Sequence, residues 1–133
     1  MKNVIAAIVA GAIIGVSTTT AAPMVRPHKA ACINRSFTTF VLRVRPGKCI
    51  IAASPRAPFA KAANLSALRW RSWRHRRALA TGYDLGFHLP YSHVRVTVLL
   101  TRPAFVEELG IYIYKHFRIT SRYGTLSGTV GAG

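Results

Sequence analysis

The chain has 133 residues, and 19 lysines and arginines against three acidic residues give it a formal net charge of +16. Because Asp84, Glu107 and Glu108 carry the only carboxylate side chains, internal ion pairs cannot neutralise most of the cations. These cations must be solvated or contact an external anion. The predicted partner is therefore an anionic polymer, such as nucleic acid or an acidic wall polymer, or an anionic lipid surface.

The N-terminal segment has the layout of a secretory signal peptide. Lys2 precedes an uncharged apolar run over residues 4–16, and small residues follow it. A helix needs about 20 apolar residues to span a bilayer, so this run is shorter than a typical membrane anchor. An uncleaved short anchor is the alternative. We predict a signal peptide over residues 1–21 with cleavage after Ala21, and a mature protein that is secreted or associated with the cell surface.

Residues 22–36 contain two prolines and mixed polar residues, which predicts a flexible N-terminal arm. The mature chain has two cysteines, Cys32 and Cys49. An even count in an exported chain favours a disulfide between them, and two free thiols are the alternative. In the chain-entropy model such a bond contributes about 3 kcal/mol. It would tether the arm to the domain.

Residues 37–124 are predicted to form one β-rich domain, a small antiparallel sandwich or barrel. β-branched and aromatic residues alternate over residues 37–44, and a second short apolar run covers residues 49–53. A Pro-Gly pair between the two runs suits a type II turn. We therefore predict a hairpin in which Val44 lies opposite Cys49.

Residues 60–81 fit two structures. Their Ala, Leu and Arg content favours a helix, and an α+β fold with a helix at about residues 60–80 is the alternative to the all-β fold. Their apolar positions do not form one narrow helical stripe, however. We predict a strand over residues 68–74.

The charge is most concentrated in residues 69–77, which contain five arginines, two tryptophans and one histidine. Guanidinium groups pair with anions and hold phosphates through two hydrogen bonds. The predicted anion-binding residues are Arg69, Arg71, Arg74, Arg76 and Arg77. Trp70 and Trp73 either stack on a ligand or fill the core, and the core is favoured because large aromatic side chains usually serve cores.

Two further alternating runs, residues 92–102 and 110–123, predict strands, and the length of the second predicts a bend near Lys115. The second run places Tyr112 and Tyr114 on one face as an aromatic surface, with an ordinary exposed sheet face as the alternative. The Gly-rich residues 125–133 predict a disordered tail.

A Leu-x-Trp-x-x-Trp segment within residues 63–73 is followed by an Ala/Gly-rich segment, 78–82, and a Val-rich segment, 93–99. This order resembles small exported proteins of uncharacterised function from high-GC Gram-positive bacteria. The resemblance covers about residues 46–102. It implies a small β-rich fold with both tryptophans on a strand, and it implies no catalytic residues.

The charge and the N-terminus predict an exported, non-catalytic protein that binds an anionic partner. No cofactor, metal or small-molecule substrate is predicted, since the histidines and cysteines show no metal-ligand spacing. One alternative is a cationic, membrane-active protein of the antimicrobial kind. A more distant one is a small exported nuclease in which Glu107, His116 and Arg118 move a proton and hold a phosphate, although their spacing fixes no geometry.

Overall fold

The structure is a computed structural model that describes residues 27–131, so the predicted signal peptide and its cleavage site lie outside the described residues. The strands are β1 (Ala30–Ile33), β2 (Phe40–Arg43), β3 (Cys49–Ile51), β4 (Ala63–Trp73), β5 (Arg77–Asp84), β6 (Val94–Val106), β7 (Ile111–Ser121) and β8 (Gly124–Thr129). A 3₁₀ helix, Phe59–Lys61, precedes β4. The predicted mainly β, antiparallel fold is confirmed. The segment that could have formed a helix is instead the hairpin of β4 and β5.

The eight strands form one antiparallel sheet in the order β2-β1-β3-β4-β5-β6-β7-β8. The sheet is curled, because the backbone of Lys29, the residue just before β1, pairs with the distant strand β7. The Lys29 N–H donates to the carbonyl of Tyr112 at 3.0 Å, and its carbonyl accepts from the N–H of Tyr114 at 3.1 Å. Near the other terminus, the Gly131 N–H donates to the carbonyl of Ala53 at 2.7 Å. Within residues 27–131 no helix is long and apolar enough to cross a bilayer.

The predicted hairpin between residues 37–44 and 49–53 is wrong, because β2 and β3 both pair with β1 and not with each other. The Asn34 side chain explains the difference. Its Oδ1 accepts hydrogen bonds from the backbone N–H of Thr38 at 2.8 Å and of the following residue at 3.1 Å. These two hydrogen bonds close a tight loop, after which the chain runs back beside β1 as β2. Phe37 lies in the loop with a φ of 56°, so the strand starts later than predicted.

The predicted disulfide between Cys32 and Cys49 is confirmed, and its two Cα atoms lie 5.1 Å apart on the adjacent strands β1 and β3. The flexible arm predicted for residues 22–36 is corrected over residues 30–33, because all four residues of β1 are buried in the sheet; residues 22–26 lie outside the described residues. β1 has the sequence Ala-Ala-Cys-Ile, which shows no polar alternation. A period-two pattern could not reveal it.

The disordered tail predicted for residues 125–133 is also corrected over residues 125–129, because β8 pairs with β7 along its length. A side chain at Gly128 would bring its Cβ within 2.9 Å of the Phe117 ring. This glycine therefore lets β8 lie flat against a buried aromatic residue of β7, which is a packing role and not a sign of disorder.

β4 carries two β-bulges that explain its unusual pattern. Four of its apolar residues pack toward the core at spacings of three, two and three: Leu65, Leu68, Trp70 and Trp73. Ala67 has a φ of 53°, and the pairing of β4 with β5 shifts once around it and again just after Trp70. Each bulge inserts one residue, which returns the next apolar side chain to the same face.

The β5 side of this hairpin is built of small residues that make room for the large ones. Trp70 lies opposite Ala80 and Trp73 opposite Ala78, and neither alanine is exposed. A Cβ on Gly82 would lie 2.8 Å from Leu68 Cδ2. The core therefore requires a small residue at each of these β5 positions.

The pairing of β6 with β7 is interrupted opposite Lys115, where a bend was predicted in β7. The irregularity is on the partner strand: Arg102 has a φ of 56° and Pro103 follows it. Proline has no N–H to donate to the ladder, so an irregular position suits it.

Candidate anion-binding site

The basic segment forms the connection between β4 and β5. The Arg74 N–H donates to the carbonyl of Arg77 at 2.9 Å, which leaves His75 and Arg76 as the two residues of a tight turn. All four of these side chains are exposed. The hairpin tip, residues 74–77, therefore presents three guanidinium groups and one imidazole to solvent.

The other two predicted arginines lie farther back along β4. Arg69 is exposed and pairs with Thr81 of β5, whereas Arg71 occupies the second bulge and is also exposed. Arg77 precedes Thr81 by four residues, which is roughly 13 Å along a strand. The five arginines are therefore spread along a single hairpin, from Arg69 on β4 to the tip, and do not converge on one point.

The carboxylates lie away from this tip. Asp84 is at the opposite end of β5, where its Oδ1 accepts hydrogen bonds from the N–H groups of Asn64 at 3.1 Å and Gly86 at 3.0 Å. Glu107 and Glu108 are exposed in the turn after β6. That turn begins six residues beyond Thr101, which pairs with Arg77, so it lies roughly 20 Å farther along the strand.

The two tryptophans support the hairpin from its inner side. Their rings meet edge to face with centroids 4.7 Å apart, and both are half-buried against the core. Trp70 Nε1 donates to the carbonyl of Pro46 at 2.8 Å, and Trp73 Nε1 donates to the carbonyl of His28 at 2.9 Å. Both indole N–H groups are satisfied inside the protein, so this packing supports a core role for Trp70 and Trp73.

The predicted tyrosine surface is divided between interior and exterior. Tyr114 is only 2 % exposed, and its hydroxyl donates to the carbonyl of Arg74 at the start of the tip. Burial raises the pKa of the Tyr114 phenol, and the positive charge of Arg45 partly offsets this. Tyr112 remains 38 % exposed. The segment around Lys29 covers Tyr114, a contact that the strand pattern alone cannot show.

A histidine pair joins the N-terminal segment to the tip, a contact that no pattern in the sequence predicts. His28 Nε2 lies 2.8 Å from His75 Nδ1, although 47 residues separate them. The ring of His28 also stacks on Tyr112, with centroids 4.8 Å apart. Burial lowers the pKa of His28, and the neighbouring His75 lowers it further. The pair ties the exposed turn to a fixed point on the sheet.

The residues of the nuclease hypothesis are not brought together. His116 lies within β7, where its Nδ1 is 3.4 Å from Thr101 Oγ1. Glu107 is in the turn that precedes β7, and five residues of extended strand, roughly 17 Å, separate His116 from the first residue of β7. Arg118 is exposed two residues farther on. The arrangement offers no shared acid and base for a phosphodiester.

No family model, curated protein or solved structure significantly matches the chain. The resemblance to small exported proteins of high-GC Gram-positive bacteria stays a prediction.

Proposed function

We propose that this is an exported, non-catalytic protein that binds an anionic partner at the cell surface or outside the cell through the β4–β5 hairpin. The observation that carries the proposal is the hairpin tip, where Arg74, Arg76 and Arg77 are exposed together on a two-residue turn. Concentrated guanidinium charge without adjacent carboxylates favours a polyanionic ligand.

The tip has a rigid base, which favours binding. The carbonyl of Arg74 is held by Tyr114, and His75 is held by His28. The tryptophan pair packs directly behind the turn. A preorganised cationic turn loses less conformational freedom on binding than cations on a mobile tail.

Export is supported by two independent features. The Cys32–Cys49 disulfide is typical of oxidising compartments, since cytosolic thiols are kept reduced. The N-terminal sequence, outside the described residues, has the charge and apolar layout of a signal peptide.

The path of arginines favours an anionic polymer. Arg69 lies about 13 Å behind Arg77 along the hairpin, a spacing over which an extended chain carries several charges. Each contact with a nucleic-acid phosphate contributes about 0.7–0.9 to the slope of log affinity against log salt. A hairpin-bound polyanion should therefore dissociate steeply as salt rises.

The test replaces the three tip arginines, R74Q/R76Q/R77Q, and measures binding to heparin, duplex DNA and anionic vesicles at several salt concentrations. We expect weaker binding, and a DNA salt slope lower by roughly 2–3 for three lost contacts. Stability should hardly change, because exposed cations contribute little to folding.

The matched control is R95Q/R118Q/R122Q, which removes the same charge from three other exposed arginines. If the control loses as much affinity as the tip variant, binding depends on net charge and the hairpin is not the site. Dye release from the vesicles, or turnover of RNA, would instead point to membrane activity or a nuclease.

A further inference from the structure

A second cationic surface lies away from the hairpin tip, in a cleft of about 960 Å³. Its walls are formed by the loop between β1 and β2, the segment before β3, the 3₁₀ helix, the start of β4 and the loop after β5. Ligand sites usually measure about 300–1,000 Å³, so the cleft is large enough for a small ligand or a short polymer segment. It shares no residue with the hairpin tip.

Three cations line the cleft, and no lining residue is acidic. Arg35 comes from the β1–β2 loop, Arg43 from the end of β2 and Lys48 from the residue before β3; all three are exposed. Because no carboxylate is present within the cleft to pair with them, its electrostatics favour an anion.

Aromatic rings line the same cleft. Phe59 and Phe87 stack almost parallel, with centroids 4.5 Å apart and an interplanar angle of 11°. The Phe37 ring contacts both, with its centroid 5.5 Å from that of Phe59 and 6.0 Å from that of Phe87. Phe59 is nevertheless 47 % exposed, and Tyr91, which also lines the cleft, is 50 % exposed. Rings left this accessible offer a flat apolar surface on which another ring can stack.

The cleft is fixed by contacts that do not involve a ligand. The Cys32–Cys49 disulfide lies in its lining, and Asn34 caps the loop that carries Arg35 and Phe37. On the opposite side, Asn64 Nδ2 donates to the carbonyl of Gly86 at 2.8 Å, which holds the start of the loop bearing Phe87. A preformed site of this kind lowers the entropic cost of binding.

We infer that this cleft binds a nucleotide unit, with a base on the phenylalanine and tyrosine rings and phosphates on Arg35, Arg43 and Lys48. Base stacking on aromatic side chains combined with a cationic groove is how single-stranded nucleic acids are held without sequence preference. The inference does not rest on the proposed function, because a sugar polyanion such as heparin can pair with the arginines of the hairpin tip but carries no aromatic base to stack in the cleft.

The test measures binding of an eight-nucleotide oligothymidylate, of AMP and of heparin by calorimetry at fixed salt. The double variant F59A/F87A should bind the oligothymidylate roughly 5- to 150-fold more weakly for one lost stacking contact, while its heparin affinity stays unchanged. Binding of AMP as well would identify a free nucleotide as a ligand, and binding of the oligomer alone would identify a single strand.

Two matched variants make the result decisive. F105A removes another exposed phenylalanine, 54 % exposed and outside the cleft, and should leave the oligothymidylate affinity unchanged. R43Q/K48Q alters only exposed side chains, which leaves the core intact. It should weaken oligothymidylate binding and lower the salt slope by about 1.4 for two lost contacts on a single strand.

Wild-type oligothymidylate affinity in both cleft variants, or an equal loss in F105A, would overturn the inference. If the cleft inference is overturned in this way, loss of heparin binding in R74Q/R76Q/R77Q would still support the hairpin proposal.

Discussion

The side chain of His28 is 7 % exposed and in contact with His75, and both conditions disfavour its protonated form. A hydrogen bond between two imidazole rings also needs one unprotonated nitrogen to accept it. Neutral His28 therefore contributes to folding stability. This residue belongs to the segment just before β1, so its state affects how the N-terminal end closes onto the hairpin tip.

The lowered pKa of His28 predicts a specific dependence of stability on pH. In the unfolded chain the group titrates near 6.5, and in the folded chain it titrates lower. Its contribution is fully present above about pH 6.5 and is lost as the pH falls through the folded-state pKa, because the unfolded chain then binds the additional proton. Urea unfolding at pH 7.5, 6.0 and 5.0 should show the wild type approaching the stability of H28Q as the pH falls. Parallel curves for the two proteins would show that His28 contributes no such term.

Residue patterns predicted some of this chemistry and not the rest. The basic cluster was visible because five arginines lie within nine residues, and the structure places them all on one hairpin. The His28–His75 contact was not visible, because it depends on closure of the sheet between positions 47 residues apart. The phenylalanines of the cleft were missed for the same reason: they come from three separate segments.

At the level of the elements, alternation identified β6 and β7 because each has one buried face and one exposed face. β4 was ambiguous, since two bulges give its inward residues spacings of three, two and three. Such spacings match neither a regular strand nor a regular helix. β1 was missed because a short strand buried on both faces carries no polar alternation.

The disulfide is the covalent link between β1 and β3, so its removal should loosen the N-terminal edge of the sheet. β1 meets β3 through a single paired position, Ile33 with Ile50, whereas β4 and β5 pair at six. We expect C32A/C49A to lower the free energy of unfolding by about 2–4 kcal/mol, measured by urea denaturation.

Thiol labelling of the denatured protein serves as the control for this experiment. The unreduced wild type should react at no cysteine, and the reduced protein should react at both. A variant as stable as the wild type would mean that backbone pairing alone holds β1 in place.

For the molecule as a whole, the charge and the curled sheet together produce two separate cationic surfaces. The hairpin tip carries arginines with their aromatic support directed inward, whereas the cleft carries cations beside exposed rings. The first therefore suits an anion of any backbone, and the second suits an anion that also carries an aromatic ring. Mutual repulsion among so many cations should make both surfaces, and the fold itself, sensitive to ionic strength.

The most direct test of the central claim is a footprint of arginine reactivity. Phenylglyoxal labelling, read by mass spectrometry with and without bound heparin, reports the accessibility of each guanidinium group. We predict strong protection of Arg74, Arg76 and Arg77 and little change at the exposed Arg95 and Arg118. The assignment of the β4–β5 hairpin as the anion-binding site would be contradicted if these five arginines were protected equally, or if only Arg95 and Arg118 were protected.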